Sequence, residues 1–203
     1  MTEEEARAWI AAHYGGDRLA MLERYVALLL AANTAQNLIG KASEPNLWTR
    51  HILDSAQLER HAPGAANWLD VGSGAGLPGI VIAILTGRPT LLVEPRRKRV
   101  EFLQGIARNL RLENVDIEQA SIEKLSGQTF AGVTARAYAP LPEIFSSTIR
   151  LTNPSTIWVL PKGRSAEREL DDARRTWQGV FHVEQSLSDV DAKIIVATGV
   201  RPR

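Results

Sequence analysis

The run Asp70-Val71-Gly72-Ser73-Gly74-Ala75-Gly76 constrains this chain more than any other stretch. It continues the apolar pair Trp68-Leu69, so the pattern is a buried strand ending in an acid, then three glycines at alternate positions. Glycine is required there because the backbone must turn sharply from strand to helix and approach a ligand with no Cβ in the way. Leu77-Pro78-Gly79 then opens a helix, with proline suited to the first turn and the residue before it biased toward extended geometry. Strand, glycine loop and helix in that order form the first βα unit of a parallel sheet.

The remainder of the chain supports that frame. After Pro63-Gly64, short apolar runs alternate with longer helical ones, the pattern of βαβ units. The strands are expected at Asn67–Val71, Thr90–Glu94, Val115–Glu118, Gly132–Ala137, Ser155–Leu160, His182–Leu187 and Lys193–Thr198. The expected fold is therefore α/β, a mostly parallel, twisted seven-stranded sheet with helices on both faces. Lys98–Leu110 is the clearest helix, with Phe102, Leu103, Ile106 and Leu110 on one face. Upstream, Thr2 and Glu5 form a capping box, a second helix starts at Asp17 and ends in the polar run Asn33–Asn37, and a third is capped by Ser43 with Pro45 in its first turn. Residues 1–62 read as a helical extension packed on a core of residues 63–203, one structural domain in all.

The same segment literally contains a dinucleotide fingerprint, Gly74-Ala75-Gly76-Leu77-Pro78-Gly79. Its register is wrong. A dinucleotide motif begins directly after the strand, at Gly72, and that frame places Leu77 where the third glycine belongs. The loop instead resembles that of Rossmann-like S-adenosylmethionine-dependent methyltransferases, a likeness that places Asp70 near the methionine ammonium. Glu94 ends the second strand 22 residues after Gly72, where an acid accepts hydrogen bonds from ribose hydroxyls. Such an acid serves NAD as well as S-adenosylmethionine.

The chain has no cysteine, which excludes disulfides, thiolate metal sites, iron–sulfur clusters and cysteine nucleophiles. Radical methylation and thiolate-assisted methylation of pyrimidine carbon go with them, leaving attack by nitrogen or oxygen. No metal site is expected. The acidic start Met1-Thr2-Glu3-Glu4-Glu5 is unlike a signal peptide, and no apolar run is long enough for a membrane span, so the expected location is the cytoplasm. A net charge of +1 falls short of a strongly basic nucleic-acid binder, so any such contact needs a local patch. The four cations Arg96-Arg97-Lys98-Arg99 are one candidate, with Arg50, Lys162, Arg164 and Arg168 beside them; the alternative is a solvated helix start.

Four linked runs carry a closer resemblance: Arg50-His51-Ile52-Leu53-Asp54-Ser55, Leu69 through Ile80, Ala135-Arg136-Ala137, and Lys162-Gly163. In this order and spacing they are similar to the glucose-inhibited division protein B family, bacterial methyltransferases that modify N7 of a guanine in small-subunit (16S) ribosomal RNA. That resemblance implies a Rossmann-like methyltransferase fold and S-adenosylmethionine as cofactor. It implies cofactor contacts from Asp70, Gly72, Ser73, Gly74, Gly76, Leu77 and Glu94, from Ile122 and Glu123 on the adenine side, and from Arg136. Where many relatives carry Ala-Glu, this chain has Ile122-Glu123. Arg136, Lys162 and His51 are the catalytic candidates. Arg50, Arg96, Arg97, Lys98, Arg99 and Arg164 are the RNA-binding ones. The implied partner is ribosomal RNA, free or in the assembled small subunit, with no membrane and no obligate protein partner, and the enzyme is expected to be a monomer.

Arg136 ends the fourth strand, where amino-directed methylases carry an Asn-Pro-Pro-aromatic motif that is absent here. An arginine there is suited to donate to guanine O6, the alternative being an ion pair with Glu94 or Glu123. His51 and Asp54, three apart, share a helical face, and Tyr138 and Trp48 are candidates for stacking on the base. Direct in-line attack by guanine N7 needs no general base, since that nitrogen carries a lone pair and no proton. A small-molecule methyltransferase, the alternative, needs an enclosed apolar pocket.

Overall fold

The computed structural model describes residues 1–203. The capping box is formed: Glu5 N donates to Thr2 Oγ1 at 3.1 Å and Thr2 N to Glu5 Oε2 at 2.7 Å, starting α1 (Glu3–Tyr14). Helix α2 (Gly16–Gln36) begins one residue before the expected Asp17 and stops at Asn37, whose left-handed backbone closes it. The expected third helix is not uniform. It is a 3-10 stretch (Lys41–Asn46), a π-helical turn (Trp48–Leu53), a short α3 (Asp54–Ala56) and a second 3-10 stretch (Gln57–His61). Its irregularity follows from bonds made elsewhere: the Glu3 carboxylate accepts from Trp48 N and Thr49 N, both at 2.8 Å, and Asn33 bridges Ile39 N and Glu44.

Strands β1 (Trp68–Val71), β2 (Thr90–Val93), β3 (Val115–Glu118), β4 (Gly132–Thr134), β5 (Ile157–Lys162), β6 (Trp177–Gln185) and β7 (Lys193–Pro202) form one sheet. Its order is β3-β2-β1-β4-β5-β7-β6, with β7 antiparallel to both neighbours and the rest parallel. Helices α4 (Gly79–Thr86), α5 (Arg97–Leu110), α6 (Leu141–Thr148) and α7 (Ala166–Ala173) supply the crossovers. Four strand expectations need correction. β7 runs on to Pro202, past the expected Thr198, because its last residues pair with the early part of β6. β4 stops at Thr134 and not at Ala137, because Ala137 turns left-handed (φ 51°). β5 starts later than Ser155, because Asn153 Oδ1 accepts from Ser155 N and Thr156 Oγ1 accepts from Asn153 N, holding a turn. β6 begins at Trp177, well before His182; as an edge strand exposed along much of its length it lacks a clean alternation of apolar residues.

The extension shares its core with the sheet domain. Leu22, Tyr25 and Leu29 of α2 and Ile52 lie in one apolar cluster with Ile80, Val81, Leu103 and Ile106. Each such side chain contributes about 1.5–3 kcal/mol on burial, enough to hold residues 1–62 against α4 and α5. The strand order reverses between β1 and β4, and in open α/β sheets the crevice at the carboxyl ends of the strands there is where ligands bind.

Candidate active site

The loop after β1 is shaped by Gly72, Gly74 and Gly76, all with positive φ (70°, 55° and 88°). Gly72 N and Ser73 N donate to Val93 O at 2.9 and 3.2 Å, tying the loop to β2. A Cβ on Gly72 would stand 2.6 Å from Tyr138 Cδ2, so the aromatic ring lies directly against this glycine. From the extension, the buried Tyr25 hydroxyl donates to Ala75 O at 2.7 Å. Nothing in the local sequence marks Tyr25 as a loop support, because its partner is 50 residues away.

Glu94 is buried beneath this loop. Its Oε2 accepts from Gly74 N at 3.0 Å and its Oε1 from Arg96 N at 2.9 Å, with Arg99 Nη1 3.8 Å from Oε2. A carboxylate has about four lone-pair directions, so acceptor capacity remains on the side facing the cleft. Glu94→Ala strands two backbone N–H groups and is expected to lower unfolding free energy by about 2 kcal/mol in denaturant titrations, with Glu94→Gln, which keeps one acceptor, losing less. Equal stability of the alanine variant and the wild type would remove Glu94 as the brace of the loop.

A cleft of about 480 Å³ opens over these residues, lined by Gly72, Ser73, Gly74, Ala75, Leu77, Glu94, Pro95, Arg96, Arg99 and Arg136–Tyr138, with Leu38 from the extension. Asp70 does not line it. Its Oδ2 accepts from Gly79 N at 3.1 Å, at the start of α4, while Oδ1 is buried without a partner, as is Thr134 Oγ1 beside it in the β1–β4 register. Burial pushes the Asp70 carboxyl up to about 7, against the opposing Gly79 and Ser73 hydrogen bonds. Ile122 and Glu123 also lie outside the cleft. Ile122 is buried, its carbonyl bonded by Arg150, and Glu123 lines a separate cavity of about 660 Å³, with Tyr138 lining both.

Arg136 follows β4 and reaches the extension, not Glu94 or Glu123. Its Nη1 donates to His51 Nδ1 at 3.1 Å, approaches Arg50 O at 3.5 Å and lies 3.9 Å from Asp54 Oδ2. The guanidinium cannot accept, so His51 Nδ1 must. The His51 proton is therefore on Nε2 and is given to Ser43 Oγ at 2.8 Å, and Ser43 donates to Gly40 O at 2.7 Å. Burial, then the charges of Arg136 and Arg50, push His51 down to about 4, so the imidazole is neutral at physiological pH.

Arg136, Ala137 and Tyr138 also wall a second cavity of about 490 Å³ that contains Asp54, Lys162 and Glu169. Lys162 Nζ donates to Glu169 Oε2 at 2.7 Å and to Ala139 O at 2.9 Å. Burial raises the Glu169 carboxyl, but the Lys162 and Ser165 hydrogen bonds outweigh it and leave it below its ordinary range. Of the other candidates, Arg164 pairs with Asp191 on the exposed rim and Arg50 and Arg168 are exposed. Trp48 is buried with Arg7 over its ring at 4.8 Å, which removes it from base stacking, whereas Tyr138 is 37% exposed. Arg96–Arg99 form a groove of about 550 Å³ with Ala35 and Gln36 at the end of α2. The structure contains no group of His, Asp and Glu side chains arranged to hold a metal.

The family model described as rRNA small subunit methyltransferase G matches residues 18–195. Ribosomal RNA small subunit methyltransferase G of Erythrobacter litoralis is 45% identical over 200 residues, covering 98% of this chain and 97% of that protein. Its counterpart in Sphingopyxis alaskensis is 43% identical over 201 residues, covering 97% and 86%. Among solved structures, an O-methyltransferase from Bacillus cereus in complex with SAH superposes with a TM-score of 0.61 at 15% identity, covering 88% of this chain and 90% of that one. At that identity the last similarity is one of fold.

Proposed function

The chain belongs to the ribosomal RNA small subunit methyltransferase G family and is an S-adenosylmethionine-dependent rRNA methyltransferase, and from that premise we propose how its site divides the work. The cofactor lies in the cleft over Gly72–Leu77, with Glu94 accepting from its ribose hydroxyls and Asp70 acting from behind by fixing the loop to α4. The residues fit such a group: a loop with three glycines that carry no Cβ, a buried acid with spare acceptor capacity and a cleft of about 480 Å³. When bound, S-adenosylmethionine supplies an electrophilic methyl group. The target is N7 of a guanine in small-subunit RNA, received in the second cavity with Arg136 donating to its O6. Exposed Arg50 and the groove of Arg96–Arg99 take RNA phosphates, and the rim cation Arg164 lies nearby in sequence to Lys162. No helix is long and apolar enough to cross a membrane, and we place the enzyme in the cytoplasm as a monomer.

One observation carries the reading: the glycine-loop cleft and the second cavity meet at Arg136, Ala137 and Tyr138, so one arginine faces both ligands. The test is incubation with methyl-labelled S-adenosylmethionine and either free small-subunit RNA or subunits lacking the modification. Label is expected at a guanine; absence of label from RNA in both arms overturns the proposal. In RNA-binding isotherms at two salt concentrations, Arg97→Glu with Lys98→Glu is expected to weaken binding about tenfold and flatten its salt dependence without changing cofactor affinity. Wild-type binding at two salt concentrations would make the run a solvated helix start.

A further inference from the structure

We infer that the Asp54 carboxylate reads the Watson–Crick edge of the target base and makes the second cavity selective for guanine. This rests on the assignment of a guanine as the methylated base and goes beyond it by naming the residue that chooses it. Asp54 is held by contacts far away in sequence. Its Oδ1 is crowded by Gln57 Nε2 at 3.2 Å, Ser188 Oγ at 2.8 Å and Ser186 Oγ at 3.3 Å, the two serines belonging to the tip of the β6–β7 hairpin. Gln57 in turn donates to Ser186 Oγ at 2.8 Å and accepts from Leu187 N at 2.7 Å. With Oδ1 taken, the carboxylate cannot rotate without breaking this network. Oδ2 has Arg136 Nη1 at 3.9 Å, beyond hydrogen-bonding distance, and no closer partner.

Lys162 and Glu169, the other charged groups of this cavity, are bonded to each other and brace Ala139 O and Leu141 N, so the protein holds both in place. Arg136 supplies a donor fork and Asp54 an acceptor. Their order along the wall matters: Arg136 borders both the cofactor cleft and the second cavity, while Asp54 borders only the second. Around a guanine the groups run N7, O6, N1–H and the 2-amino group, two acceptors followed by two donors. With N7 toward the cofactor cleft, O6 meets Arg136 and the N1–H and 2-amino donors meet Asp54 Oδ2, whose two lone pairs can serve both. Adenine reverses the polarity. Its 6-amino group would face the guanidinium donor and its bare N1 the carboxylate, leaving desolvated groups unpaired.

The test compares guanosine with inosine at the target position of small-subunit RNA, inosine lacking only the 2-amino group, in wild type and Asp54→Asn. With the Gln57 amide and a serine hydroxyl donating to Oδ1, the asparagine oxygen occupies that position and its NH₂ faces the cavity, so kcat/KM on guanosine should fall about 100-fold while cofactor affinity stays within about twofold. Wild type should prefer guanosine about tenfold, and Asp54→Asn should lose that preference because the 2-amino group no longer has its acceptor. A purely structural role for Asp54 would slow both RNAs equally and keep the tenfold ratio, which would overturn the inference. Equal use of the two RNAs by wild type would overturn it without any variant, should Asp54→Asn fold poorly. If wild type labels no guanine at all, the base assignment itself fails, a result distinct from either of these.

Discussion

Replacing the target guanine by 7-deazaguanine is expected to abolish methyl transfer, while RNA binding and cofactor affinity stay within about twofold of their values on the native RNA. The substitution exchanges one in-plane lone pair for a C–H and leaves O6, N1–H and the 2-amino group in place. The same chemistry predicts a flat pH dependence. Guanine N7 has no proton to shed, so no side chain has to take one. The structure is arranged accordingly: His51, the one histidine beside the site, has its Nδ1 lone pair committed to Arg136 and its Nε2 proton committed to Ser43. With its pKa near 4, the imidazole is neutral across the range from about pH 6 to 9 and contributes no limb to the rate. A histidine depressed in the folded state stabilises the protein above its unfolded pKa of about 6.5 and loses that contribution as pH falls toward 4, so acid should weaken the fold here before it touches the chemistry. Burial raises the Asp70 carboxyl to about 7, but it lies under the loop against Gly79 N and lines neither cavity, so its protonation acts through cofactor binding, which saturating cofactor masks. The measurement is single-turnover methylation at saturating cofactor and RNA. Methylation of 7-deazaguanine, or a rate that falls with protonation of His51 and loses that dependence in His51→Ala, would assign a base and move the target away from N7.

The parts of this molecule legible in the sequence are those set by local backbone chemistry. Three alternating glycines after an apolar run specify a strand-to-helix turn whatever surrounds them, and Thr2 with Glu5 caps a helix within three residues. β3 was readable to the residue because it is bounded by turns on both sides. β4 was not, because Ala135-Arg136-Ala137 continues an apolar pattern whose end is fixed by a left-handed alanine, a conformation that alanine does not announce. The irregular helical segment 41–61 takes its shape from Glu3, Asn33 and the hairpin tip, partners 11 to 134 residues away. The same distance hides Tyr25 and the Asp54 network. Asp70 and Arg136 stood out as charged groups at strand ends. Which way each side chain turns depended on Gly79 N for the first and on His51 and Asp54 for the second.

Arg136→Ala is expected to slow the chemical step by about 10²–10³-fold, the usual cost of removing a preorganised donor from a site that excludes water. The Arg136 side chain is 21% exposed and its Nη1 faces His51 Nδ1, the Arg50 carbonyl and Asp54, so its direction is fixed before the base arrives. Fixing it in advance avoids reorganisation during the reaction. Arg136→Lys should recover little of the loss, because an ammonium on a flexible stem cannot span His51 and O6 at once as the planar fork does. The alanine variant also strands the His51 lone pair and Asp54, so some stability is lost and the rate must be read on the folded fraction. Two readouts separate the substrate role from a structural one. Cofactor affinity measured by calorimetry should stay close to wild type, since Glu94 and the glycine loop do not depend on Arg136 for any hydrogen bond. His51, followed by NMR titration, should rise from about 4 toward its ordinary value, because the Arg136 charge is second only to burial in depressing it. A variant in which cofactor affinity collapses along with the rate, with His51 unmoved, would make Arg136 a residue that holds the cofactor and leave the base without its donor.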